Sequence, residues 1–314
     1  MRPADSRISV VITSYNQKEY LIEAVESVLN QTVYPFEILI GDDCSTDGSR
    51  EIIEEYAHRH LGLIRPFYHK QNLGRAGNRN FAIERLRGNL VTVLDGDDRF
   101  LPKKLQMELE ALREHPEASI VYSNVYYIDQ DGQRIGLRAG KDTTQPSGYI
   151  FHDVFGRSFP HDGTIRNELI AYPCLLQVGL YDGRFAFFED WDLRIRLTRR
   201  FRVAYCHEPL IEYRRHPGSL STKTTASVYL TDMKDVYSKN RHLLDDLPRS
   251  ERVIIKKRLS TKLALLAEGA AREAAQRGDK KLMIKYWLEY SRYDRNGLAL
   301  KLWQRAYARL SSYI

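Results

Sequence analysis

In the stretch NLVTVLDGDDRFLP (residues 89–102), an apolar run ends at Leu94, and Asp95, Asp97 and Asp98 follow within four positions. Like charges at this spacing repel, so something must offset them. A shared divalent cation would do so. Asp95 and Asp97, separated only by Gly96, can turn carboxylate oxygens toward one point. Hard oxygen donors suit Mg²⁺ or Mn²⁺, with places left for water and phosphate oxygens. A solvated turn ahead of a helix that starts near Pro102 accounts for the same residues without a ligand. Two more apolar runs end in polar residues, one in TSYN (13–16) and one in DDCSTDG (42–48). Either alone reads as helix capping. Three such ends on one sheet edge read as a ligand site, because open parallel sheets bind ligands beyond the carboxyl ends of their strands.

The elements that must position these residues follow from periodicity. ISVVIT (8–13), FEILIG (36–41) and NLVTVL (89–94) are short apolar runs of buried-strand type. IRPFYH (64–69) is a weaker strand, which Pro66 confines to an edge. Between them, QKEYLIEAVESVLNQ, STDGSREIIEEYAHRH and AGNRNFAIERL repeat with helical spacing. The alternation predicts an α/β fold with a mostly parallel central sheet and helices on both faces. KKLQMELEALREHP continues as a helix, and SIVYSNVYYI, DQDGQR and IGLR read as strand, turn and strand. Residues 138–168 read as a long loop. EDWDLRIRLTRR (189–200) is helical, FRVAYC and EPLIEYRR are two short strands, and from about residue 224 the pattern is helical only. The expected division is a catalytic domain over 1–222 and a helical C-terminal extension over 223–314.

The chain has 314 residues, 43% hydrophobic and 28% charged, enough for a large core and unlike a disordered chain. Cys44, Cys174 and Cys206 are few, odd in number and far apart, which fits a reducing compartment and gives no zinc signature. The start lacks a signal-peptide pattern, and nowhere do about 18 apolar residues run together. The expected location is therefore cytoplasmic. The net charge of +7 is concentrated in the tail, where from Arg252 onward Lys and Arg outnumber Asp and Glu roughly threefold. No zinc-finger or RNA-recognition block accompanies it, which argues against nucleic acid. In GLALKLWQRAYARLSSYI (297–314), Leu298, Leu302, Trp303, Ala306, Leu310 and Ile314 form an apolar stripe beside Lys301, Arg305 and Arg309. Such a segment can lie peripherally on an anionic membrane surface, or pack on the catalytic domain or a second copy in a homo-oligomer.

Five blocks, in order, resemble the family 2 glycosyltransferases of GT-A fold: residues 8–53, NLGRAGNRNFAI, VTVLDGDD, FFEDWDLRIRL and YRRHPGSLS. The resemblance covers roughly residues 6–222. It implies an inverting transfer of sugar from a UDP- or dTDP-linked donor to a hydroxyl of a glycan or lipid-linked glycan, with Mn²⁺ or Mg²⁺ as cofactor, in surface polysaccharide or glycoconjugate synthesis. It assigns Thr13 and Asp43 to the nucleotide base, Arg79 to the vicinity of the nucleotide, and Asp95 to the ribose side of the DxD. Asp97 becomes the main metal ligand, Asp190 the catalytic base, and His216 a residue reaching the metal or diphosphate. Trp191 either stacks on a sugar or fills the core.

The pattern is broken in two places. Cys44 stands where the family usually has glycine, and residues 158–185 follow it only at VGLYDGRF, which leaves the acceptor unspecified. His161 and Asp162 are candidates for lining that pocket or for a solvated loop. Two other activities share parts of this pattern. A sugar-1-phosphate nucleotidyltransferase would carry a glycine- and basic-rich loop where TSYNQKEY stands, and a non-catalytic nucleotide-sugar-binding module would have no need of Asp95, Asp97, Asp190 and His216 together.

Overall fold

The structure, a computed structural model, describes residues 6–140, 143, 145–157 and 165–293. His161, Asp162 and the tail stripe over 297–314 lie outside the described residues. In chain order the elements are β1 (Ile8–Ser14), α1 (Lys18–Leu29), β2 (Glu37–Asp42), α2 (Ser49–Arg59), β3 (Ile64–Tyr68), α3 (Gly74–Ile83), β4 (Leu90–Asp95), β5 (Arg99–Phe100), α4 (Lys104–Glu114), β6 (Ala118–Ile128) and β7 (Arg134–Leu137). Then come α5 (Phe151–Gly156), β8 (Leu169–Ala171), α6 (Tyr172–Val178), α7 (Glu189–Arg200), β9 (Arg202–Arg214), α8 (Leu220–Lys223), α9 (Ala226–Asn240), α10 (Arg249–Gln276) and α11 (Lys280–Tyr293).

The described residues form two compact units. The first runs to Phe151 and includes 165–184 and Asp192–His216. It holds the whole sheet, in the order β3-β2-β1-β4-β8-β6-β9-β5, with β7 on β6. Strands β1, β2, β3 and β4 pair in parallel, as the sequence predicts. Every residue of β1 and β2 is buried, which explains their mostly apolar runs. Leu21, Ala24, Val25 and Val28 turn the inner face of α1 onto this core. Strand β3, with Pro66, is the edge. At the head of α2 the carboxylate of Asp47 accepts the N–H and hydroxyl of Ser49 at 3.0 and 2.6 Å.

The second half of the sheet departs from the expectation. FRVAYC and EPLIEYRR are one strand, β9, parallel to β6, with a register shift where Asn124 meets Pro209. That irregularity absorbs a proline that cannot donate to the ladder. The short β8 sits antiparallel between β4 and β6. Residues 138–168 are not all loop, since Phe151–Gly156 is helical, too short a run to show a helical period.

The second unit contains 152–157, Phe185–Trp191 and the chain from Pro217 onward. The long helix α10 buries Ile255, Leu259, Leu263, Ala267, Ala270, Ala271 and Ala274 along one stripe. Among the described residues no helix is long and apolar enough to cross a membrane.

Two fully buried charges sit in the first unit: Lys104 Nζ lies 2.7 Å from Glu108 Oε2 and donates to Thr92 Oγ1 at 2.6 Å. Burial lowers the lysine and pushes the Glu108 carboxyl up to about 7. Removing one partner of such a pair costs more than removing both. Lys104→Met is expected to lose about 3–5 kcal/mol in urea unfolding, and Lys104→Met/Glu108→Leu to regain most of it. Because the folded carboxyl holds its proton above the ordinary 4.5, its ionisation destabilises the fold as pH rises toward about 7. The deficit of the single variant should therefore be larger at pH 8 than at pH 5.

Candidate active site

The carboxyl ends of three neighbouring strands carry most of the residues singled out by sequence. Register sets Thr13 beside Asp95 on one side and beside Gly41 on the other, so the last residues of β1, β2 and β4 are adjacent. The Thr13 hydroxyl donates to Asp95 Oδ1 at 3.4 Å. Gly96 is required by closeness. Its N–H donates to Thr13 O at 2.8 Å, and a Cβ there would stand 2.9 Å from the same oxygen. The chain thus turns hard against the end of β1 between the two aspartates.

Each of the three aspartates has a different partner. Arg79, projecting from α3, places Nη2 2.5 Å from Asp95 Oδ1, with its guanidinium 5.3 Å from the centre of the Tyr181 ring. Burial would raise the Asp95 carboxyl, but the charge and hydrogen bond of Arg79 outweigh it and hold the group below its usual range. Asp97 Oδ2 lies 3.1 Å from His216 Nε2, and the His216 ring is 4.9 Å from that of Tyr20. Asp98 is fully buried. One oxygen accepts the N–H of Arg214 at 2.9 Å, and the other has no hydrogen-bond partner among the described residues. Burial, and then the charges of Asp97 and Asp95, push the Asp98 carboxyl well above its ordinary value. Among the described residues no three His, Cys, Asp or Glu side chains converge as a metal cage. Asp97 and His216 form a two-residue donor set, one hard oxygen and one imidazole nitrogen.

Asp43 is buried just past β2. Its N–H donates to Ser14 O at 2.9 Å, and its carboxylate accepts the Leu73 N–H at 2.6 Å. Burial raises this carboxyl, with the Leu73 N–H acting in the opposite sense. Cys44, in the glycine position, adopts φ +68°, the left-handed conformation that glycine takes freely. The turn is therefore kept at some backbone cost.

Sequence reasoning missed Arg214. It is fully buried, its Nε donates to Asp97 O at 2.9 Å, and its Nη2 reaches Glu23 Oε2 at 2.7 Å. It precedes His216 in YRRHPGS, and only burial reveals its role in anchoring the segment.

Asp190 belongs to the second unit, in the first turn of α7, where Oδ1 accepts the Trp191 N–H at 2.6 Å. Trp191 proves to be a core aromatic. It is 4% exposed, its Nε1–H donates to Val154 O at 2.7 Å, and it packs on Phe155 and Phe188. The segment leading into Asp190 is held by a residue that no sequence motif marks. Asp232 of α9 accepts the N–H groups of Ala186, Phe187 and Phe188 at 3.1, 2.9 and 2.6 Å.

Known proteins match this chain in family and in fold. The profile of Glycosyl transferase family 2 matches residues 9–164. The chain is 38% identical over 221 residues to the provisionally named teichuronic acid biosynthesis glycosyltransferase TuaG of Bacillus subtilis, covering 68% of this chain and 81% of that one. It is 30% identical over 210 residues to the uncharacterized glycosyltransferase MJ1057 of Methanocaldococcus jannaschii, covering 66% of this chain and 70% of that one. In fold it resembles residues 1–349 of S. aureus TarS in complex with UDP-GlcNAc, with a TM-score of 0.60, 16% identity and 91% of both chains covered.

The Arg79–Asp95 contact yields a pH-dependent expectation. The lowered Asp95 carboxyl contributes stability above its ordinary 3.8 and loses it as pH falls through the folded value. Arg79→Met should cost about 2–3 kcal/mol at pH 7, since Asp95 is partly exposed. The gap to the parent in urea unfolding should narrow toward pH 3; a gap unchanged with pH would mean that Arg79 acts by packing alone.

Proposed function

Because this chain belongs to glycosyl transferase family 2, we propose that it is a metal-dependent, inverting enzyme. It would move a sugar from a UDP- or dTDP-linked donor to a hydroxyl of a glycan or lipid-linked glycan, in the assembly of a surface polysaccharide or glycoconjugate. The observation that carries this reading is the alignment of Thr13, Asp43, Asp95 and Asp97 along adjacent strand ends, with Arg79 and His216 against the aspartates. The printed names of the relatives support it: TuaG is tied to teichuronic acid biosynthesis, and the TarS complex holds UDP-GlcNAc.

In this proposal Asp43 accepts the imide N–H of a uracil or thymine ring, and Thr13 and Asp95 line the ribose side. Asp97 and His216 suit Mn²⁺ or Mg²⁺ as an incomplete ligand set that water and phosphate oxygens would complete, while Asp95 is engaged by Arg79. The bound cation would supply Lewis-acid stabilisation of the leaving diphosphate. Arg79 adds positive charge near the nucleotide and keeps Asp95 ionised. Asp190 takes the proton of the acceptor hydroxyl as its oxygen attacks the anomeric carbon. The bond from that carbon to the diphosphate oxygen breaks, and the nucleoside diphosphate departs with the electron pair. One displacement inverts the anomeric centre.

The reading includes peripheral contact with the cytoplasmic membrane face through 297–314, supported by the alternation of Lys301, Arg305 and Arg309 with apolar residues. Its test is co-sedimentation with anionic liposomes at low salt; retention after deletion of 297–314 would refute it.

For the chemistry, UDP with Mn²⁺ should raise the melting temperature, and a screen of UDP-, dTDP- and GDP-sugars should reveal metal-dependent turnover. Asp97→Asn should remove both effects while the protein stays folded. Asp190→Asn should keep the UDP-induced shift and lower turnover at least ~10²-fold. Full turnover of Asp97→Asn at saturating Mn²⁺ would dismiss the metal assignment. Lost UDP binding in Asp190→Asn, with bound donor turned over normally, would make Asp190 a binding residue.

A further inference from the structure

Arg214, at the end of β9, is fully buried. Its guanidinium donates from Nε to Asp97 O at 2.9 Å, from Nη1 to Asp129 O and Gln130 O at 3.2 and 2.9 Å, and from Nη2 to Glu23 Oε2 at 2.7 Å. Hydrogen bonds around the edge of a flat, rigid fork fix its plane. The guanidinium carbon then sits over the ring of Tyr20, 4.6 Å from its centre. The same ring stands 4.9 Å from the imidazole of His216, tilted by 54°. Tyr20 thus meets both a fixed cation and the histidine whose Nε2 is 3.1 Å from Asp97 Oδ2.

Helix α1 can supply such a ring because it is itself held. Leu21, Ala24, Val25 and Val28 seat it on the core. Tyr20 and Glu23, three residues apart, share one flank of the helix. Glu23 receives Arg99 at 2.8 Å as well as Arg214. One helix therefore grips the end of β9 at two positions, by charge and by ring. His216 lies past the last residue of β9, so the pleat no longer dictates where its side chain points. A ring contact from a seated helix supplies that direction instead. The attraction of a cation for an aromatic face holds the ring in turn, which an aliphatic side chain of similar size would not reproduce.

We propose that Tyr20 is a positioning residue of the donor site: braced on Arg214, its ring holds the His216 imidazole at Asp97, so that the pair is in place before a cation or a nucleotide sugar enters. This rests on the glycosyltransferase reading and adds to it a residue that acts through His216.

The test uses the full chain and two readouts. Without added metal, carbon relaxation at the His216 ring, whose signal is identified by its loss in His216→Gln, should report greater motion in Tyr20→Leu and parent-like motion in Tyr20→Phe. With UDP present, Mn²⁺ binding read by paramagnetic resonance of the free ion should weaken about tenfold in Tyr20→Leu, the lower end of the cost of losing a group behind a metal ligand, and less than about twofold in Tyr20→Phe. Raising Mn²⁺ should then restore the UDP-induced rise in melting temperature of Tyr20→Leu. Tyr20→Gln, which also lacks a ring, serves if Tyr20→Leu does not fold. Three results would overturn the proposal: unchanged motion of the His216 ring in the ringless variant, Mn²⁺ affinity equal to the parent's, or a loss in Tyr20→Phe as large as in Tyr20→Leu. Failure of the glycosyltransferase reading shows differently, as absent UDP and Mn²⁺ binding in the parent protein, and relaxation of the His216 ring still reads what Tyr20 does to it.

Discussion

The parallel pairing of β1 with β4 is the constraint on which the site depends. Its register puts Thr13 opposite Asp95, and the Gly96 N–H then closes onto Thr13 O. A slip of one residue would turn every side chain of β4 to the other face. The buried apolar residues of β1, Val10, Val11 and Ile12, forbid that slip, because both faces of the strand are packed. A core interaction with no chemistry of its own thus fixes the position of the carboxylates.

Three aspartates that would repel one another are separated electrostatically by this frame. Arg79 offsets Asp95, His216 meets Asp97, and Asp98 turns inward to the backbone of Arg214. The opposed shifts of Asp95 and Asp98 follow from that division. One gains a guanidinium, and the other is buried among like charges. Arg214 links the arrangement, since it holds Asp97 through its carbonyl and ties β9 to Glu23 on α1. The segment that carries His216 is anchored by the strand before it.

The second unit uses the same device with the opposite charge. Asp232 accepts three consecutive backbone N–H groups, which satisfies donors ahead of α7 and defines the chain path into Asp190. A helical region without strands or motifs therefore contributes to the placement of a residue that the motif FFEDW marks.

By itself, the sequence determined the parallel half of the sheet, because buried strands are mostly apolar and their helices show one apolar stripe, as ISVVIT and Leu21-Ala24-Val25-Val28 do. It also determined which residue types end those strands, since Thr13, Asp43, Asp95 and Asp97 follow apolar runs directly, and Pro66 marked the edge. It did not reveal β8, a three-residue strand too short to carry a period, nor the union of two apparent strands into β9 around Pro209. Nor could it show that Trp191 is a core residue, because stacking on a sugar and packing in a core demand the same side chain. Only tertiary structure decided the partners of the charged residues. Arg79 and Asp95, Arg214 and Asp98, and Asp232 with residues 186–188 are joined across long stretches of chain. An ion pair or hydrogen bond depends on distances of a few ångströms, which local periodicity does not encode.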